Sequence, residues 1–122
     1  PDKLLITGED RFLGYSLMMG ARSALIGMGA ALTDVQAQLL EAKKNDDMPA
    51  FWRLSTQLDA FGSVTFTAPI EGYIRRMLWA LAADGVIPDV AYDDPGGPPL
   101  PPADRDAVRQ AVRAAREIRG NR

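Results

Sequence analysis

Residues 4–32, LLITGEDRFLGYSLMMGARSALIGMGAAL, constrain this chain more than any other stretch. Two short apolar runs, Leu4-Leu5-Ile6 and residues 24–29, are each punctuated by glycine, and a helix-length segment lies between them. A connection of that length between two buried strands implies a parallel crossover, since antiparallel partners can close through short hairpins. Parallel strands need both faces covered. Two of them cannot close a sheet alone, so the unit is expected to be a piece of something larger. A strand beginning almost at Pro1 points the same way.

Within this stretch, Thr7 or Gly8 is suited to cap a helix, with Glu9 and Asp10 in its first turn, where the macrodipole favours negative charge. Phe12, Leu13, Tyr15, Leu17, Met18 and Met19 make that helix apolar on most sides, so neighbours are expected to bury it, and Gly20 ends it. Gly27 and Gly29 leave room for close approach of a backbone or a ligand. Thr33-Asp34-Val35-Gln36 fits a capping box, followed by an apolar stripe of Val35, Leu39 and Leu40 and by Lys43 and Lys44 at the C-terminal end. Asn45-Asp46-Asp47 breaks the helix, and Asp47 with Pro49 starts another. Its Phe51, Leu54, Leu58 and Phe61 have the spacing of a buried face, and it is expected to run to about Phe66.

Pro69 suits the first turn of the next helix, whose apolar face is read as Ile70, Ile74, Met77, Leu78 and Leu81, closed by Asp84-Gly85. Residues 86–102 are rich in Pro, Gly and Asp and read as a loop with polyproline character. A last helix is expected over 102–118, with Val108, Ala111, Val112, Ala115 and Ile118 inward. The order is βαβα followed by three more helices. Residues 1–45 form the βαβα part, and 46–122 a helical extension.

The residue inventory narrows the chemistry. The 122 residues contain no cysteine and no histidine. Thiolate chemistry is therefore excluded, and acid–base work is left to Asp, Glu, Tyr or Lys. The absence of cysteine fits a cytoplasmic protein. Uncharged stretches such as 23–33 are far too short to span a bilayer, so no membrane association is expected. With a net charge of −2, there is no large basic field for nucleic acid. No cofactor and no metal site is expected, because the acids are too few and too scattered for an oxygen-ligand loop.

Candidate sites follow from position. The turn Thr7-Gly8-Glu9-Asp10 leaves a strand and opens a helix, where α/β proteins bind ligands, and an ordinary capped helix start competes with a substrate-facing turn on equal terms. It is not a nucleotide loop, lacking the multiple glycines and carrying two carboxylates. Glu9 and Asp10 would diverge by about 100° on a helix and make a poor catalytic pair. Lys3, Lys43 and Lys44 are the only lysines, and none sits at the carboxyl end of a strand, where a Schiff-base amine would be desolvated. Arg105, Arg109, Arg113 and Arg116 form a stripe that reads best as a solvated face. Pro98-Pro99-Leu100-Pro101-Pro102 reads as a rigid connector rather than an SH3 ligand. Met18, Met19, Met28, Trp52 and Trp79 are read as core.

A strand, a GED turn, an apolar helix ending at Gly20, a second strand and a run of helices carrying EAKKNDDMPAFWRL, APIEGYIRRMLWALAADGVI and PPLPPADRDAVRQAV together resemble a known family. The resemblance is to the C-terminal part of the dihydrodipicolinate synthase and N-acetylneuraminate lyase family. The resemblance covers nearly the whole chain and rests on order and spacing. It implies an α/β fold, namely the last two βα units of a TIM (β/α)8 barrel followed by a C-terminal helical extension.

The activity implied is that of a homo-oligomeric class I aldolase or lyase acting on pyruvate or a related 2-oxo acid, with an aldehyde partner, through a lysine imine. The family's lysine, its tyrosine and its Gly-Thr-Thr-Gly-Glu-like segment lie upstream of the matched stretch, so this chain carries no catalytic residue of its own. Two substrate-binding positions carry over. Gly8-Glu9-Asp10 matches the glycine-acid turn facing the variable end of the substrate, with Asp10 as the hydroxyl contact. The eighth strand supplies a backbone carbonyl that matches Leu25 by ungapped spacing or Ile26 by the Ile-Gly pattern. Where many relatives have a polar segment, this chain has Gly27-Met28-Gly29-Ala30, which allows a less polar acceptor. The competing expectation is a non-catalytic helical interaction module using the Arg stripe or the proline segment.

Overall fold

The chain's clearest apolar periodicity builds the scaffold. In the computed structural model, which describes residues 2–89 and 94–117, helix α3 (Met48–Thr65) buries Phe51, Leu54, Leu58 and Phe61 on one face. It starts as its sequence demands: Asp47 accepts a hydrogen bond from the Ala50 N–H at 3.1 Å, and Pro49 lies in the first turn. Around α3 pack α1 (Leu13–Met18), α2 (Thr33–Lys44) and α5 (Pro102–Glu117), while α4 (Tyr73–Ala83) lies chiefly against α5. One apolar core runs from Leu13 to Ala115 and draws on both 1–45 and 46–122.

The α/β character lies in a single parallel pair, β1 (Ile6–Thr7) and β2 (Ser23–Ala24), in register Ile6 with Ser23 and Thr7 with Ala24. The strands are shorter than expected. After Ile26 the backbone curls into a 3-10 turn (Gly27–Ala30) instead of continuing as strand to residue 29. The first helix also begins late, because residues 8–12 are held as turns. The Glu9 N–H donates to Thr7 Oγ1 at 3.1 Å and the Arg11 N–H to Glu9 Oε1 at 3.0 Å. Glu9 and Asp10 therefore precede α1 rather than charge its first turn, and Phe12, without a side-chain cap, is its N-cap.

The capping box at Thr33 does not form. Leu32 takes the N-cap position in the left-handed region (φ 53°), the Thr33 hydroxyl turns back to the Gly29 carbonyl at 2.7 Å, and the Gln36 amide donates to the Met28 and Ala31 carbonyls. Gln36 is thus spent on the 3-10 turn, and its burial follows from that.

Helix α4 is rotated from its expected face. Arg76, Met77 and Ala80 are buried, whereas Ile70 and Ile74 are exposed. Pro69, after a cis Ala68–Pro69 peptide, leads into a short 3-10 turn (Ile70–Gly72) instead of the first turn of α4. The stop is as read: Gly85 has φ +75°, and the Val86 N–H reaches back to the Leu81 carbonyl at 3.0 Å. In α5, Val108, Val112 and Ala115 face inward; Ile118 lies outside the described residues.

The other departure is α1. Leu13, Gly14 and Leu17 are buried, but Phe12, Tyr15, Met18 and Met19 are exposed, as is Trp52 beside them on α3. Of the sulfur and indole side chains read as core, Met28 is buried and Trp79 packs partly against the core. A helix expected to be covered all round is covered on one side only. Together with Leu4, Leu5, Ile6 and Leu25 it leaves a broad apolar surface around the open sheet.

Candidate functional site

The carboxyl ends of β1 and β2 lie side by side, and four sequence-derived positions, Gly8, Asp10, Leu25 and Ile26, follow them directly. The Leu25 N–H donates to the Thr7 carbonyl at 2.9 Å, which extends the ladder one step past β2. Asp10 ties the two loops together, its Oδ1 accepting the Met28 N–H at 2.7 Å. This bond explains the 3-10 turn: a carboxylate from the first loop draws in a backbone donor that a strand would have presented elsewhere. Among the described residues Asp10 Oδ2 has no partner.

The two carbonyls left open by the sequence are now distinguishable. The Ile26 carbonyl accepts the Gly29 N–H at 3.2 Å, and the Ile26 side chain packs against the core. The Leu25 carbonyl meets no donor among the described residues, and Leu25 itself is 83% exposed. Gly8 is open, with nothing within 4 Å of where a Cβ would stand.

Sequence reasoning missed two members of this corner. Phe66, just past α3, and Tyr73, the first residue of α4, stack with ring centroids 5.3 Å apart and planes at 25°. At Gly27 an added Cβ would stand 3.7 Å from Tyr73 Cε2, 3.8 Å from Asp10 Oδ1 and 3.9 Å from Phe66 Cζ. The glycine at Gly27 was a signal of close approach; nothing local in the sequence named the rings that approach it.

Beside the corner, a groove of about 390 Å³ is lined by residues of α1 and α3 and by Asp10 and Arg11, with Tyr15, Met18, Trp52 and Asp59 among its walls. Arg11 is anchored there by Asp59, donating to its carboxylate at 2.7 Å and to its carbonyl at 3.2 Å.

Other candidates are placed away from the corner. Lys43 and Lys44 end α2, and Lys44 approaches Glu41 at 3.6 Å. The Arg stripe is not simply solvated: Arg105 and Arg109 both hold Asp89, and Arg116 holds Asp34 and Asp84. The proline segment is likewise engaged, since Arg75 donates to the Pro98 carbonyl and Leu100 packs over Gly72, 2.9 Å from where a Cβ would be. Among the described residues no cluster of three or more His, Cys, Asp or Glu is placed to hold a metal, and no helix is long and apolar enough to cross a membrane. Comparison of the chain with protein-family models, curated proteins and solved structures gives no match.

The Asp10–Met28 bond is testable in this chain. Asp10→Ala is expected to cost about 1.5–3 kcal/mol, the range for a hydrogen bond to a charged group, here from the N–H of the buried Met28. Hydrogen exchange should show the Met28 amide losing protection, while Asp10→Asn, which keeps an acceptor oxygen, retains most of it.

Proposed function

We propose that this chain is the C-terminal portion of a TIM-barrel class I aldolase or lyase of the dihydrodipicolinate synthase type. It would act on pyruvate or a related 2-oxo acid with an aldehyde partner, in a cytoplasmic homo-oligomer. The reactive lysine would come from upstream βα units, and this chain would supply the last two units and the helical extension.

The observation that carries the reading is the unfinished parallel pair. Parallel strands occur in sheets covered on both faces, and a two-stranded sheet is marginal in water. Here each strand has an outer edge without a partner among the described residues. Leu4, Leu5, Ile6 and Leu25 stand exposed beside it, and α1 with its C-cap carries Tyr15, Met18 and Met19 into solvent. Further βα units on either side would pair both edges and cover these side chains. Gly8, Asp10 and Leu25 would then sit at the carboxyl face, where such barrels build their sites. With its Arg stripe and proline segment already engaged inside the molecule, the interaction-module reading has less to work with.

In this reading the pyruvate methyl carbon, as the enamine of the upstream lysine, attacks the aldehyde carbon. The new C–C bond forms as the carbonyl π pair moves to oxygen, which takes up a proton, and water hydrolyses the imine to free the amine. Asp10 Oδ2 and the Leu25 carbonyl are the groups of this chain poised to receive hydroxyls of the acceptor portion.

Borohydride reduction of the intact protein in the presence of pyruvate is expected to leave one covalent adduct, located by peptide mass analysis on a lysine outside these 122 residues. An unmodified protein, or an adduct on Lys3, Lys43 or Lys44, would remove the reading.

A further inference from the structure

The corner at Gly27 contains more than the turn that joins it to Asp10. Phe66 and Tyr73 come from either side of the α3–α4 connection, yet their stacked rings and the Asp10 carboxylate converge on one bare Cα just beyond β2. Gly27 is exposed and Tyr73 is 36% exposed, while Phe66 is half-buried and packs against the core, so the ring pair stands at the core's edge and borders open space.

The polar inventory of this corner is short. Gly27-Met28-Gly29-Ala30 offers no side-chain hydrogen-bonding group. The Met28 N–H is taken by Asp10, the Gly29 N–H by the Ile26 carbonyl, the Thr33 hydroxyl by the Gly29 carbonyl, and the Gln36 amide by the Met28 and Ala31 carbonyls. What remains is Asp10 Oδ2, the Leu25 carbonyl and, with no partner among the described residues, the Tyr73 hydroxyl. A polyhydroxylated acceptor would bring several hydroxyls to a wall that offers about three polar groups, two of them acceptors only, and each hydroxyl left dry is penalised. A flat ring needs few polar partners and gains from an aromatic face.

We propose that Gly27, Phe66 and Tyr73 form the acceptor wall of the lyase site and select an aryl aldehyde over a polyhydroxylated one, with Asp10 Oδ2 receiving a ring hydroxyl where the aldehyde carries one. This rests on the lyase reading above. The aldol step is the one already balanced: the enamine carbon bonds to the aryl aldehyde carbon and the aldehyde oxygen becomes a hydroxyl. Gly27 clears the path of the ring, Phe66 and Tyr73 set its plane, and Asp10 sets its register.

The test uses the intact protein, pyruvate, and benzaldehyde against glyceraldehyde as acceptors. The wild type is expected to show the higher kcat/KM with benzaldehyde. Tyr73→Ala should lower the benzaldehyde-to-glyceraldehyde ratio by about tenfold, the loss of one aromatic contact. Tyr73→Phe should restore the ratio to within about twofold, since it keeps the stack. Gly27→Val, which drives a branched side chain toward both rings, should lower the ratio at least as far and tests the same wall with Phe66 and Tyr73 left unsubstituted. A wild-type preference for glyceraldehyde, or a ratio unmoved in both Tyr73→Ala and Gly27→Val, overturns the acceptor assignment while a pyruvate–borohydride adduct keeps the lyase reading. Absence of that adduct overturns both.

Discussion

Replacing Arg76 with methionine is expected to lower the unfolding free energy of this chain by about 3–5 kcal/mol, the largest loss from any single side chain outside the apolar core. Arg76 is fully buried on α4, and all five of its N–H groups are used. Nη1 donates to the Thr67 and Pro69 carbonyls at 2.8 and 3.0 Å, and Nη2 to the Ala68 carbonyl at 3.1 Å and Asp104 at 2.9 Å. Nε donates to the same Asp104 oxygen at 3.1 Å. Methionine fills much of the volume but strands three carbonyls and a carboxylate together. Urea unfolding followed by far-ultraviolet circular dichroism should show a midpoint lower by on the order of 2 M. Arg76→Lys should fall between, since an ammonium keeps the charge but cannot reach all four acceptors. A loss below about 1 kcal/mol would mean that water replaces the guanidinium and that α4 is not pinned as described. The same residue fixes the segment between Phe66 and Tyr73, so the aromatic stack should loosen along with the stability.

Arg76 also marks where the sequence stops being readable. Helix α3 was legible because its buried residues recur at the helical period and its start carries Asp47 and Pro49, both of which act locally. In α4 the period suggested Ile70 and Ile74 as inward. The demand of three carbonyls at 67–69 for a donor turned an arginine inward instead, and no pattern within α4 records that demand.

The capping box at Thr33 failed for a similar reason: Gln36 is recruited by carbonyls of the preceding turn, and Leu32 is held in a left-handed conformation by a group fifty residues away. The candidate site divides the same way. Gly8, Asp10, Leu25 and Ile26 were legible because each follows a strand in chain order. The choice between the two carbonyls, and the arrival of Phe66 and Tyr73, depend on hydrogen bonds and packing that only the folded chain brings together.

The group that holds Leu32 is Asp84, and Asp84→Ala is expected to cost about 2–4 kcal/mol. The Asp84 side chain is 3% exposed. One oxygen accepts the Leu32 N–H at 3.1 Å and the other accepts from Arg116 at 2.6 Å. Arg116 reaches on to both oxygens of Asp34, at 2.8 and 2.7 Å. Its pKa is raised, chiefly by the hydrogen bonds it donates to Asp34 and further by Asp84, against an opposing effect of burial, so the guanidinium stays charged throughout the working range. Alanine at position 84 would orphan a buried N–H on a residue already in an unfavourable backbone region and leave Arg116 with a single carboxylate. Asp34→Ala removes the other partner, but at a side chain 37% exposed, and should cost only about 1 kcal/mol. Unfolding curves for the two variants therefore separate the contributions. Equal losses would show that the ion pair alone matters, whereas the expected excess at Asp84 measures the Leu32 cap. That cap lies at the end of the Gly27–Ala30 turn, so the excess also reports how firmly α4 holds the loop on which Gly27 meets Asp10 and the two rings.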